Sequence, residues 1–356
     1  MKTVYVASLN EYTGKSTICL SLAFRYKTQG LNVGYMKPLG TAPAMVHGVE
    51  TDEDAAMIWQ ALDLEDAFES AVPVLLTSQV ANLPLRGPVQ SLQTKVEAAF
   101  KRLSRGKDIM ILEGAADFAQ GLSLGLSAGE VAALTNAKVV LVTSYRDTLP
   151  LDGILLARAQ MHDLLIGVIL NNVPREMIDT VRAELTPFLE REKLSLYGVL
   201  HRDPILGAIS VRELCETLNG DILCAYDRMD ELVETYMIGA MTADTALRYF
   251  QRKPNKAVIT GGDRADIQLA ALQTNTRCLI LTGNLPPTAA VLTRAVEAQV
   301  PIVVVREDTM TTVNLVERAF GRHRIASPTH IQHLTQMARQ EIDSQQILDA
   351  LPKEVL

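Results

Sequence analysis

Ser8-Leu9-Asn10-Glu11-Tyr12-Thr13-Gly14-Lys15-Ser16-Thr17 follows an apolar run over residues 3–7 and opens an amphipathic stretch over residues 15–29. A strand, a loop ending in Gly-Lys-Ser and a helix form a phosphate cradle. Main-chain N–H groups and the helix N-terminus face the phosphates, the lysine reaches the terminal ones, and the next hydroxyl ligates magnesium. Gly14, Lys15 and Ser16 stand where that mechanism needs them, with Thr13 and Thr17 in the same cofactor-binding set. The glycine that usually opens such a loop is missing. Leu9 holds its place in a loop of standard length, and Ser8 holds it in a loop one residue longer.

Beyond this loop, apolar strands alternate with helical stretches, the pattern of a parallel sheet covered by helices. The pattern predicts strands over residues 3–7, 33–36, 109–112, 139–142, 166–170 and 196–201. It predicts helices over 15–29, 52–62, 89–103, 128–134, 152–161 and 175–191. The second half repeats a shorter theme: strands at 256–260, 277–281 and 302–305, each followed by a polar loop and a helix. The three loops supply Gly261-Gly262-Asp263-Arg264, Thr282-Gly283-Asn284 and Arg306-Glu307-Asp308-Thr309. All three should lie at the carboxyl edge of one small parallel sheet, where α/β folds bind ligands. Gly261-Gly262 suits a tight turn whose amides bind an anion, and equally suits a plain turn.

The chain has 356 residues, 48% hydrophobic and 21% charged, and that length favours two domains. A net charge of -7 argues against a surface for nucleic-acid backbones. No apolar run is long enough to span a bilayer, and residues 1–7 read as a first strand rather than a signal peptide. Cys19, Cys215, Cys224 and Cys278 form no CxxC pair, so neither zinc nor disulfides are expected and a reducing cytoplasm is.

Two carboxylates and a lysine join the loop as candidates. Glu113 ends the strand over 109–112, which should lie beside the loop, and suits a magnesium or water contact. Asp54 follows Thr51-Asp52-Glu53 and serves either the metal or a helix start capped by Thr51, with Asp54 third in the helix. Lys37 ends the second strand, where a lysine holds a transferring phosphate or an anionic substrate, or is simply solvated. His201, alone near a linker, reads as structural or solvated.

These residues resemble the dethiobiotin synthetase-type P-loop domain, whose longer loop puts Ser8 in the glycine place. The resemblance implies ATP and Mg2+ as cofactors, with Lys15 on the phosphates and Ser16, Asp54 and Glu113 on the metal. Lys15, Lys37 and Glu113 would be the catalytic set, with Thr41 the hydroxyl near Lys37. Asn171-Asn172-Val173-Pro174 is similar to the family's base-recognising segment, or is a strand-end turn. Ile259-Thr260-Gly261-Gly262-Asp263-Arg264 and the βα units after it resemble a DRTGG domain, as at the N-terminus of long bacterial phosphotransacetylases. The expected organisation is therefore a P-loop parallel-sheet α/β domain with helices on both faces (1–203). A smaller DRTGG-type regulatory α/β domain (204–326) and a polar, mostly helical tail (327–356) follow. A phosphotransacetylase catalytic domain would lie beyond residue 356, so acetyl transfer is not expected of residues 1–356.

Two readings follow. In one, the chain is an ATP-binding regulator in central metabolism. It senses a small effector at Gly261, Gly262, Asp263, Arg264, Thr282, Gly283, Asn284, Asp308 and Thr309 and acts on a metabolic enzyme partner. In the other it is an ATP- and Mg-dependent enzyme that phosphorylates or ligates a carboxylate or carbamate. A missing leading glycine and the added second domain favour the regulator. A partitioning-type ATPase fits worse, because Leu9 and Asn10 occupy the place of its extra lysine. The resemblance further implies a homodimer or higher homo-oligomer, with neither nucleic acid nor membrane as partner.

Overall fold

Six runs of apolar residues build the first sheet: β1 (Lys2–Ser8), β2 (Val33–Met36), β3 (Ile109–Glu113), β4 (Lys138–Ser144), β5 (Leu165–Val173) and β6 (Ser195–His201). The structure is a computed structural model that describes every residue except 47, 65–67, 88, 205, 322–327 and 353–356. All six strands run parallel in the order β6-β5-β4-β1-β3-β2. Every residue of β2 and β3, and all but the first of β1 and β4, is buried. Strands without an exposed face need cover on both sides of the sheet. The connecting helices supply it, and the sequence carries the signature as unbroken apolar runs.

The chain divides into two units, Met1–Arg202 with Ile325–Leu356, and Asp203–Arg324. In the second, β7 (Asp221–Ile222), β8 (Thr235–Ile238), β9 (Lys256–Gly261), β10 (Thr276–Thr282) and β11 (Ile302–Val304) form a sheet ordered β7-β11-β10-β9-β8. All pairs are parallel except β7 with β11. Alternate side chains go to opposite faces. Ala257, Ile259, Cys278 and Ile280 pack with Val211, Leu214 and Val316, whereas Val258, Leu279 and Leu281 pack with Phe250, Ile267 and Val291. The sequence predicts three βα units here, and the structure holds a fourth, β8 with the helix Ala243–Phe250. That strand sits at the sheet edge and is half-buried, so its apolar signal is weak.

The end of the chain differs from the expected polar tail. Helices Pro328–Glu341 and Ser344–Ala350 belong to the first unit, with Leu334, Met337 and Ile347 on them and Ile342 between them buried. Ile342 bridges Gly198 on β6, and the Tyr26 hydroxyl donates to Ser344 O at 3.0 Å. An apolar stripe at helical spacing inside a polar composition explains the change. His201 lies here too, its Nδ1 2.6 Å from Glu341 Oε1, which is a structural contact. All four cysteines are buried and free, and among the described residues no helix is long and apolar enough to cross a membrane.

Candidate functional site

The loop after β1 leads into α1 (Lys15–Thr28), whose Ile18, Cys19, Leu22, Ala23 and Tyr26 form its buried face. Gly14 precedes the helix with φ 93°, a left-handed conformation that glycine adopts without penalty. A Cβ there would lie 2.5 Å from Asn171 Nδ2, so glycine is required on two counts. No side chain caps α1, and the N–H groups of residues 12–16 donate to no described acceptor. The Thr13 hydroxyl is buried and also without a partner. This set of unused donors at a helix N-terminus fits a polyphosphate.

Lys15 folds back over the loop, its Nζ 2.8 Å from Ser8 Oγ and 3.0 Å from Ala116 O. Burial lowers its pKa, and Glu113 opposes that shift. A desolvated ammonium hydrogen-bonded to a hydroxyl and a carbonyl gains strongly from an arriving anion. Beside it, Ser16 Oγ donates to Glu113 Oε1 at 2.8 Å, and the Tyr35 hydroxyl donates to Oε2 at 2.7 Å. Register explains the neighbourhood, because Glu113 pairs with Val6 on the adjoining strand.

Lys37 lies among three carboxylates, 2.7 Å from Asp52, 3.3 Å from Asp54 and 3.6 Å from Glu113. Burial alone would depress it, but Glu113, Asp52 and Asp54 together raise its pKa. Burial likewise pushes Glu113 up, with Lys37 pulling it down. Among the described residues no three His, Cys, Asp or Glu side chains form a metal cluster on their own. Ser16, Glu113 and Asp54 offer oxygen donors only. That set fits Mg2+, which typically binds one or two carboxylates and completes its shell with phosphate and water.

Thr51 does not cap the next helix. That helix, α2 (Glu53–Ala61), is capped by Asp52, so Asp54 is its second residue and not its third. Thr41 approaches through its backbone, its N–H donating to Asp52 Oδ2. Asn171 supports the loop from behind: Nδ2 donates to Thr13 O at 3.0 Å and Oδ1 accepts from Asn172 N at 2.8 Å. Replacing it with alanine should weaken binding of magnesium–ATP about tenfold, roughly the worth of one hydrogen bond to a loop that must stay preorganised. Calorimetric titration checks this. Thr17 is buried in the first turn of α1. Sequence reasoning passed over Asp52, Tyr35 and Ala116. Only Asp52 left a trace, as one carboxylate in an acidic run in which Asp54 alone was weighed as a metal ligand beside the helix start.

In the second unit the three predicted loops do meet at one sheet edge. Gly262 N donates to Thr282 O, Gly283 N to Glu307 O and Asn284 N to Val305 O. Thr282 and Thr309 hydroxyls lie 2.8 Å apart. Several candidates are used internally. Asp308 Oδ1 caps the helix Thr309–Gly321 through Met310 and Thr311 amides, and Arg264 binds Asp266 and Met241 O. Gln268 Nε2 holds the carbonyls of Gly261 and Gly262. Asp263, Asn284 and Arg306 remain exposed at the rim.

With this geometry in place, comparison with known proteins gives consistent matches. A family model described as AAA domain matches residues 2–224, and one described as DRTGG domain matches residues 213–319. The phosphate acetyltransferase of Synechocystis sp. is 23% identical, covering 98% of this chain and 52% of that protein. The phosphate acetyltransferase of Pseudomonas putida is 26% identical, covering 88% of this chain and 47% of its own length. An ATP-dependent dethiobiotin synthetase from Methanococcus vannielii is 30% identical over 114 residues, covering 32% of this chain and 50% of that protein. The chain spans about half the length of the phosphate acetyltransferases it matches. A dethiobiotin synthetase-like P-loop domain followed by a DRTGG domain is the arrangement expected from the sequence.

Proposed function

Since this chain belongs to the AAA domain family, with a DRTGG domain after it, we propose that it is an ATP-binding regulator. The first unit takes magnesium–ATP and the second takes a small effector at the rim of its parallel sheet. The observation that carries this reading is the loop at Gly14, where unused amides, an uncapped helix and a buried ammonium converge on a requirement for phosphate. With nucleotide bound, Lys15 would exchange Ala116 O for phosphate oxygen, and Ser16 and Glu113 would hold the magnesium corner. Bound Mg2+ would neutralise phosphate charge there. Lys37, already neutralised by Asp52, supports the corner rather than offering a free cation to a transferring group. The same reading makes the protein a cytoplasmic homo-oligomer that controls a metabolic enzyme.

The enzyme reading retains one observation in its favour, the approach of Lys37 to Asp54 and Glu113 in a single cluster. Calorimetric titration with magnesium–ATP, run beside an ADP-release assay over small carboxylic acids and carbamates, separates the two. Saturable binding without release is the expected result. Acid-stimulated ADP release would replace regulator by enzyme, and absence of binding would reject both.

A further inference from the structure

Asp52 has fully buried carboxylate oxygens that accept five donors. Oδ1 takes Lys37 Nζ at 2.7 Å, Asp54 N at 3.0 Å and Ala55 N at 3.1 Å; Oδ2 takes Thr41 N at 2.8 Å and Ala42 N at 2.9 Å. One side chain thus ties together the end of β2, the turn holding Thr41 and the start of α2, which carries Asp54. We propose that Asp52 is the positioning residue of the nucleotide site, fixing Lys37 so that only its contacts to Asp54 and Glu113 are free to exchange when magnesium and phosphate arrive. This rests on the nucleotide-binding reading above.

The distances set the order of exchange. Lys37 is closest to Asp52, whose side chain has no water to fall back on, so parting that pair would strand two buried charges. Its contacts to Asp54, with a 36% exposed side chain, and to Glu113, already bonded to Ser16 and Tyr35, are longer and less costly to give up. Released from Asp52, the Lys37 ammonium would close on Asp54 and Glu113 and compete with an incoming divalent cation for the same oxygens. Asp52→Asn makes the test sharp, because the new NH2 must face either the Thr41 and Ala42 amides or the Asp54, Ala55 and Lys37 donors. Donor meets donor in both orientations.

The experiment is nucleotide titration of the full chain across a magnesium series, with ADP in EDTA as reference. In D52N the magnesium concentration for half-maximal ATP binding should rise about fivefold or more. ADP affinity in EDTA should stay within about twofold, because Lys15 and the amides of residues 12–16 are untouched. A residue that only stabilises the fold would lower both affinities together, and that outcome overturns the proposal. An unchanged magnesium midpoint overturns it too. Should D52N fail to fold, Asp52→Ser keeps a capping oxygen for α2 while removing the carboxylate, and carries the same expectations. Failure of the unaltered protein to bind any nucleotide would instead sink the parent reading.

Discussion

Replacing Lys15 with alanine should weaken magnesium–ATP binding about a hundredfold, ~3 kcal/mol, while leaving the fold intact. Lys15 is buried at the start of α1 and, among the described residues, donates to Ser8 Oγ and Ala116 O, so its removal costs the unliganded protein two modest hydrogen bonds. In that unliganded state the ammonium carries a desolvation cost, visible as its lowered pKa. The loss therefore falls almost wholly on the bound state, where a desolvated charge pair with phosphate would form. Calorimetry gives the affinity and a thermal melt gives the stability. An affinity drop accompanied by an unchanged melting temperature is the expected pair.

Gly262→Ala should destabilise the second unit by about 3 kcal/mol, lowering its melting temperature on the order of 10 °C. A Cβ at residue 262 would lie 2.0 Å from Leu285 O and 2.5 Å from Leu285 Cβ, and backbone cannot yield as a flexible side chain does. The Gly261-Gly262 pair reads in the sequence as a possible anion turn. The structure gives its second glycine a packing reason, the close approach of the loop after β10 to the end of β9. Differential scanning calorimetry of the full chain reads the effect, and a transition within about 2 °C of the original would contradict it.

Those two positions mark the limit of what the sequence carried. Strands β1, β3 and β4 were legible because both of their faces are buried, which leaves uninterrupted apolar runs. Gly14, Lys15 and Ser16 were legible because phosphate chemistry fixes their spacing along the chain. The bond from Lys37 to Asp52 was not, since residues fifteen apart meet only through the antiparallel pairing of Pro43–Val46 with Val49–Asp52. That short hairpin mixes exposed, half-buried and buried positions and shows no alternation strong enough to announce itself. Asn171 entered through its resemblance to a base-recognising segment, with a strand-end turn as the alternative, but its partner here, Thr13 O, comes from a loop 158 residues earlier. Strand ends could be read from pattern, whereas the partners of polar side chains depend on register and crossing order.

Crystallisation with Mg2+ and a non-hydrolysable ATP analogue tests the phosphate cradle most directly. The triphosphate should lie across the N–H groups of residues 12–16, with Lys15 Nζ moved from Ala116 O onto phosphate oxygen and the metal between Ser16 and Glu113. A saturating analogue that leaves Lys15 on Ser8 and Ala116, with the phosphates bound elsewhere or not at all, would contradict the account.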